Sequence, residues 1–406
     1  MQRSYTLALA VGLLGAFAAN STEVSKVARS GEDQYVYVGT HGTPGPPPGG
    51  SPPQSHDSPP AAPGPQGIYA ARLSAKTGHL SLMGITAELQ RATWLVLHPS
   101  LPVIYSVADS GGGLQADSNI VSFAIDTASG KLQMLNKVSA GGRDATTMDL
   151  DSSSKTLLVG NHGSGSVTAM PLLADGSLGP VVSVQNDYGS GPAPRQKSPA
   201  AHGVAVDPTH KYVLAADFSA DRIFIYHFDG ATKALSPVDP PFEALPAGSG
   251  PRHLLFHPNG RFLILDSELS GELRSYTWSA KEGRLQAVQT ISPYPANYSG
   301  DKSAAEIAVS HDGRFVYLSL RGDENSILVY AFNAQRGTMR EIQRVSAQGK
   351  VPWSFGIDPT GRWMLVTNEG SNSVVELKID AVTGKLAPTD QAITIPKPVA
   401  VVFYAR

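Results

Sequence analysis

A short turn followed by a leucine recurs seven times along the chain. The copies are KTGHL (ending at Leu80), ASGKL (Leu132), ADGSL (Leu178), ATKAL (Leu235), KEGRL (Leu285), QRGTM (Met339) and VTGKL (Leu386). Successive copies lie 46 to 57 residues apart. A period near 50 residues that carries several short strands is the mark of a propeller blade, one sheet stacked beside the next around an axis. Two apolar runs keep the same period. YVYVG at Tyr35 returns as VIYSV at Val103, TLLVG at Thr156, YVLAA at Tyr212, FLIL at Phe262, FVYLS at Phe315 and WMLVT at Trp363. GIYAARL returns as NIVSFAI, SVTAMPL, RIFIYHF, ELRSYTW, SILVYAF and SVVELKI.

The unit GSGPRHLLFHPNGRFLILDSELSG (Gly248–Gly271) shows how one blade is built. Its runs predict strands over Arg252–Phe256 and Phe262–Leu265 around a four-residue turn, His257–Gly260. Glu272–Trp278 and Leu285–Ile291 complete four strands. The fold expected is all-β: a seven-bladed β-propeller of four-stranded antiparallel blades. The first strand has six internal copies, and the seventh is PVAVVF at Pro398–Phe403. Blade one should therefore pair an N-terminal strand with a C-terminal one, closing the ring and removing free edges.

A chain of 406 residues suggests two or three domains by length, but the repeat overrides that prior. With 41 Gly, 31 Pro and 16% charged residues, the chain suits a turn-rich all-β protein. A net charge of −2 gives no reason to expect a nucleic-acid partner. The absence of cysteine excludes disulfides, thiolate catalysis and Cys-ligated zinc. No ligand spacing argues for a metal, and no cofactor is expected.

Arg3, an apolar run from Leu7 to Phe17 and small residues at Ala18 and Ala19 read as a secretory signal peptide. It is too short to span a bilayer. The expected organisation is a signal peptide over 1–19, a linker over 20–32 and the propeller over 33–406. The mature protein should be exported, periplasmic or secreted, and monomeric, with no membrane attachment after cleavage. Thr43–Gln66, dominated by Pro, Gly and Ser, reads as a disordered insertion between the second and third strands of blade one.

Equivalent positions in a repeat share geometry, so the repeats act as controls for one another. Just past the second strands lie His41, Asp109, His162, Phe218, Glu268, Arg321 and Glu369. At the start of the first strands lie Thr93, Thr146, His202, Arg252, Ala305 and Trp353, followed by Trp94, Thr147, Gly203, His253, Glu306 and Ser354. In an antiparallel blade both columns reach the same end. His202, Arg252, His253, Glu268, Glu306 and Arg321 should therefore converge from blades four to six on one funnel. Two arginines there suit a carboxylate or developing oxyanion, and Glu and His can move protons near neutral pH.

These residues carry a resemblance. YVYVGT (35–40), GNHGSGSV (160–167), SPAAHGVAVDP (198–208), ADFSADRIFIYHFD (216–229), the Gly248–Gly271 stretch, AAEIAVSHDGRFVYLSLRGDENSI (304–327) and IDPTGRWMLVTNEGSNSV (357–374) resemble the β-propeller lactonase family. That family comprises 6-phosphogluconolactonase-like proteins and a fungal muconate cycloisomerase. The resemblance spans residues 33–405 and implies catalytic roles for His202, Arg252, Glu268 and Arg321. The chain departs from the family where a Pro-His-Ala-His reads Pro199-Ala200-Ala201-His202. It departs again where a Pro-Cys-His-Leu reads Ala145-Thr146-Thr147-Met148, and where a Pro-Arg reads Pro352-Trp353.

The activity implied is hydrolysis of a sugar lactone, with a lactone or sugar acid as the ligand. Glu268 would activate water, His202 would donate or relay a proton, and Arg252 and Arg321 would hold the substrate and its oxyanion. His253, Glu306, His162 and Asp217 are the further substrate-binding candidates. The alternative is a non-catalytic exported propeller that binds a small ligand or protein at the same mouth, or an isomerase that opens or closes a lactone.

Overall fold

In a computed structural model of the chain, which describes residues 33–41, 64–109 and 117–405, seven four-stranded antiparallel sheets stand around a common axis. The expected leader and linker lie outside the described residues, as does the Pro-rich segment up to residue 63. Blade one is composite, running from Pro398–Ala405 through Asp33–Thr40 and Gly67–Ser74 to Leu80–Glu88. Its ring-closing pairing sets Tyr37 opposite Val402. Each other blade uses four consecutive strands.

The first strands of blades two to seven are Leu95–Leu97, Ala145–Asp151, Ala201–Val206, Pro251–Phe256, Ala304–Val309 and Pro352–Ile357. They touch one another in sequence around the full circle, with Pro398–Ala405 as the seventh member. No helix among the described residues is long and apolar enough to cross a membrane.

Second strands such as Tyr212–Asp217, Phe262–Ser267 and Phe315–Leu320 are buried at every residue, which explains why they read as unbroken apolar runs rather than alternating ones. Seven apolar clusters result, one at each interface between neighbouring blades. The core is thus distributed between the blades, and the axis is left to polar side chains.

The turn before each repeated leucine clamps one blade onto its neighbour. The turn residue is left-handed in all seven copies, Gly in six and Lys233 in the fourth. A Cβ on Gly337 would come within 2.3 Å of the Phe262 ring of the preceding blade, and one on Gly384 within 2.3 Å of Phe315. The position equivalent to Phe262 and Phe315 in the blade before the fourth copy is the smaller Thr156, which presents no ring to Lys233. Gly carbonyls at this turn also accept hydrogen bonds from the neighbouring blade, from Tyr105 Oη to Gly176 at 2.8 Å and from Tyr317 Oη to Gly384 at 3.0 Å. Gly337→Ala combines left-handed strain with overpacking against Phe262. It is expected to cost about 3 kcal/mol in urea unfolding. A loss below about 0.5 kcal/mol would show that the turn does not set the fit between blades.

Candidate active site

Among the described residues, the first strands of every blade but the second are bulged where they reach the mouth of the axis. In blade four Ala201 pairs with Asp217 and Gly203 with Ala216, so His202 has no opposite number. The same irregularity leaves Thr146 unpaired in blade three, Trp353 in blade seven and Val399 in blade one. In blade five the pairing jumps from Pro251 to Leu254, and in blade six from Ala304 to Ile307, so Arg252-His253 and Ala305-Glu306 are released in pairs. A bulge turns a side chain out of the ladder, here into the axial channel.

The bulge N–H groups in blades five to seven are caught by second-strand side chains. His253 N donates to Asp266 Oδ1 (2.8 Å), Glu306 N to Ser319 Oγ (3.0 Å) and Ser354 N to Thr367 Oγ1 (3.1 Å). The result is a pocket of about 380 Å³, counting space open to solvent, to which every blade contributes. Its walls include Trp94, Thr146, His202, Arg252, His253, Glu306, Trp353 and Val399.

Beneath the walls Glu268 gathers three guanidiniums. Its Oε2 lies 3.1 Å from Arg252 Nε and 3.0 Å from Arg321 Nη2, and its Oε1 lies 2.7 Å from Arg195 Nη1. Burial pushes the Glu268 pKa up, but Arg321, Arg252 and Arg195 outweigh it and hold the carboxyl well below its usual range. Such a carboxylate stays ionised and orients cations; it is poorly matched to accepting a proton.

Arg252, 2% exposed, also donates Nη1 to the Ala305 carbonyl. Its Nη2 makes no hydrogen bond among the described residues. Trp353 lies against Arg321 (4.6 Å to the ring centroid) and Arg252 (5.8 Å).

The histidines form a row. The His162 and His202 centroids are 5.7 Å apart, and those of His202 and His253 5.1 Å. Burial first, then the Arg252 charge, push the pKa of both His202 and His253 well below the ordinary value, so both imidazoles are neutral. His202 is anchored through its carbonyl, which accepts from Thr146 Oγ1 (3.0 Å) and Thr147 Oγ1 (2.6 Å). Its Nδ1 is buried without a partner, an unmet polar atom of the kind a ligand or water completes. His253 Nδ1 faces Glu306 Oε1 at 3.1 Å.

His202, Arg252, Glu268 and Arg321 are thus brought together, with His253 and Glu306 among them. His162 sits at the edge of the group, paired through Nδ1 with Asp144 Oδ2 at 3.3 Å. Asp217, expected to bind substrate, does not join them. It is wholly buried, and its carboxylate accepts from the backbone N–H groups of Ala200 (2.8 Å), Ser219 (3.0 Å) and Ala220 (2.7 Å). It ties the strand end to the following turn, an Asx-type role.

Two arginines of this region were not singled out from the sequence. Arg91 lines the pocket and pairs with Asp144 at 2.8 Å. Arg195 comes from the loop between blades three and four, which Gln196 pins through bonds to the Phe218 carbonyl and Asp221 Oδ1 (both 2.8 Å). Arg195 has no repeat equivalent to mark it; Arg91, two residues before Thr93, could have been found by extending the first column.

This arrangement is a ring of seven blades with an arginine-backed polar pocket at one mouth. Residues 50–403 match the family model described as lactonase, 7-bladed β-propeller. The chain belongs to this β-propeller lactonase family. It is 31% identical over 342 residues to the 6-phosphogluconolactonase of Bacillus subtilis, covering 84% of this chain and 95% of that protein. Identity to the 6-phosphogluconolactonase of Formosa agariphila is 29% over 332 residues, covering 81% and 93%. Among solved structures, the periplasmic gluconolactonase PpgL of Pseudomonas aeruginosa superposes with a TM-score of 0.80 at 30% identity, covering 92% of this chain and 99% of that one.

Proposed function

We propose that the protein hydrolyses a sugar lactone in the axial pocket. The observation that carries this reading is Arg252: buried, fixed from behind by Glu268, and with Nη2 left for an oxygen that gains charge. A lactone carbonyl becomes such an oxygen when water adds to it, and a preorganised donor stabilises that state more than the ground state. Glu268 holds both Arg252 and Arg321 in place, and neutral His202 offers a hydrogen-bonding nitrogen to the substrate. The 6-phosphogluconolactonase and gluconolactonase relatives support the same chemistry.

The charges around the pocket favour a lactone without phosphate. Arg91 is matched by Asp144, the three arginines share Glu268, and Lys397 and His41 flank Glu369 at 3.9 and 3.4 Å. A phosphate dianion would compete with Asp144, Glu268 or Glu369 for cations that already have a carboxylate partner. Trp94 and Trp353 instead offer flat apolar faces to a sugar ring. Export fits this substrate, because the N-terminal segment reads as a signal peptide and one structural relative is periplasmic.

The test is acid release from a panel of aldonolactones, with and without a 6-phosphate, measured above the spontaneous rate. The unphosphorylated lactones are expected to give the higher kcat/KM, and Arg252→Ala to lower it about 10²–10³-fold. Absence of acceleration for every lactone would leave the mouth as a binding site only.

A further inference from the structure

Lactone hydrolysis needs a group that takes a proton from the attacking water, and Glu268 is occupied with three guanidiniums. We propose that Glu306 and His253 form the pair that accepts the water proton and returns it to the departing ring oxygen. The proposal rests on the lactonase reading and extends it to the residues that move the proton.

Both side chains line the pocket, and they come from adjacent blades, each from a bulge. His253 Nδ1 and Glu306 Oε1 are 3.1 Å apart. The His253 ring is wedged between Trp94 and His202, with centroids 5.1 Å away on both sides, so its tilt is fixed. Glu306 is held as firmly: Ser354 Oγ donates to Oε2 at 2.9 Å and the Ile307 backbone N–H to Oε1 at 3.2 Å. With Nδ1–H donated to Glu306, the lone pair of the neutral imidazole lies on Nε2, where it faces Arg252 Nη1 at 3.0 Å, so the water proton enters the pair at the Glu306 carboxylate.

The charged and titratable groups packed around the pair are His202 from blade four, Arg252, Asp266 and Glu268 from blade five and Arg321 from blade six. Arg252 Nη1 lies 3.0 Å from both ring nitrogens of His253 and disfavours an isolated imidazolium. Burial, only partly offset by Arg252 and Ser354, lifts the Glu306 carboxyl to about 7. The pair therefore changes protonation near neutrality, where a general base works best.

In the step itself the water oxygen bonds to the lactone carbonyl carbon while one of its protons passes to the pair. Arg252 holds the oxyanion. The ring C–O bond then breaks, the same proton goes to the leaving ring oxygen, and a hydroxy acid departs. Nothing is oxidised or reduced.

The test compares wild type, Glu306→Gln and His253→Gln on the lactone that wild type opens fastest. Wild-type kcat should rise through about pH 7 as the pair loses its proton. Each variant should lose about 10²–10⁴-fold, and Glu306→Gln should lose the rise. A hydrolysing wild type with an active Glu306→Gln that keeps the same rise overturns the pair and leaves the lactonase reading standing. A wild type that opens no lactone overturns both. Should Glu306→Gln fail to fold, carbon-13 NMR of glutamate-labelled wild type decides. A carboxyl titrating near 7 that moves on adding His253→Gln supports the pair, and its absence overturns it.

Discussion

Glu268→Gln is expected to lower kcat/KM at least about a hundredfold and to cost the folded state about 3–5 kcal/mol. The substitution keeps the shape of the side chain and removes the one negative charge shared by Arg195, Arg252 and Arg321. Three guanidiniums then repel one another, two of them buried, and Arg252 loses the contact that aims it. The pH dependence has a definite sign. The folded pKa of Glu268 is depressed, so its stabilisation is present above its ordinary unfolded value and fades as pH falls towards the folded one. Urea unfolding at pH 7 and at pH 4 checks this: the gap between wild type and variant should narrow in acid. A variant with wild-type stability and turnover would show that the cluster neither holds the fold nor positions Arg252.

Deleting residues 398–406 is expected to abolish the cooperative unfolding transition altogether. Pro398–Ala405 pairs with Gln34 through Thr40 of the N-terminal strand. It also sends side chains into two blade interfaces: Ala400, Val402 and Tyr404 into one, and Val401 and Phe403 into the other. The truncated chain would lose both contributions and expose an open sheet edge on Asp33–Thr40, a template for aggregation. Circular dichroism and size-exclusion chromatography of the truncated protein give the answer, and a folded, monomeric product would refute the ring-closure argument.

Much of this was legible because the chain repeats itself. For blade five the sequence predicts a second strand from Phe262 and a fourth from Leu285, and the structure has Phe262–Ser267 and Arg284–Ile291. The column of first-strand residues maps onto the bulges, since Thr146, His202 and Trp353 are the very residues that lack a partner. A polar residue at the fifth position of a second strand (Asp266, Ser319, Thr367) marks the blades whose bulge N–H is caught by a side chain. That signal was present but unread.

What could not be read depends on contacts between segments distant in sequence. Arg195 and Glu268 are 73 residues apart, and only the folded ring brings them to 2.7 Å. Without that contact Glu268 looks like a free base; with it the carboxylate is a clamp. Asp217 failed for a local reason. An aspartate ending a strand can serve a ligand or its own backbone, and here three N–H groups claim it.

The composite blade bears on how the protein is made. Asp33–Thr40 leaves the ribosome early, yet its partner is synthesised after nearly all the rest of the chain. Pairing across such a separation is slow, and cannot begin before synthesis has almost ended. Until Pro398–Ala405 is in place, blade one lacks its inner strand and the circle of sheets stays open.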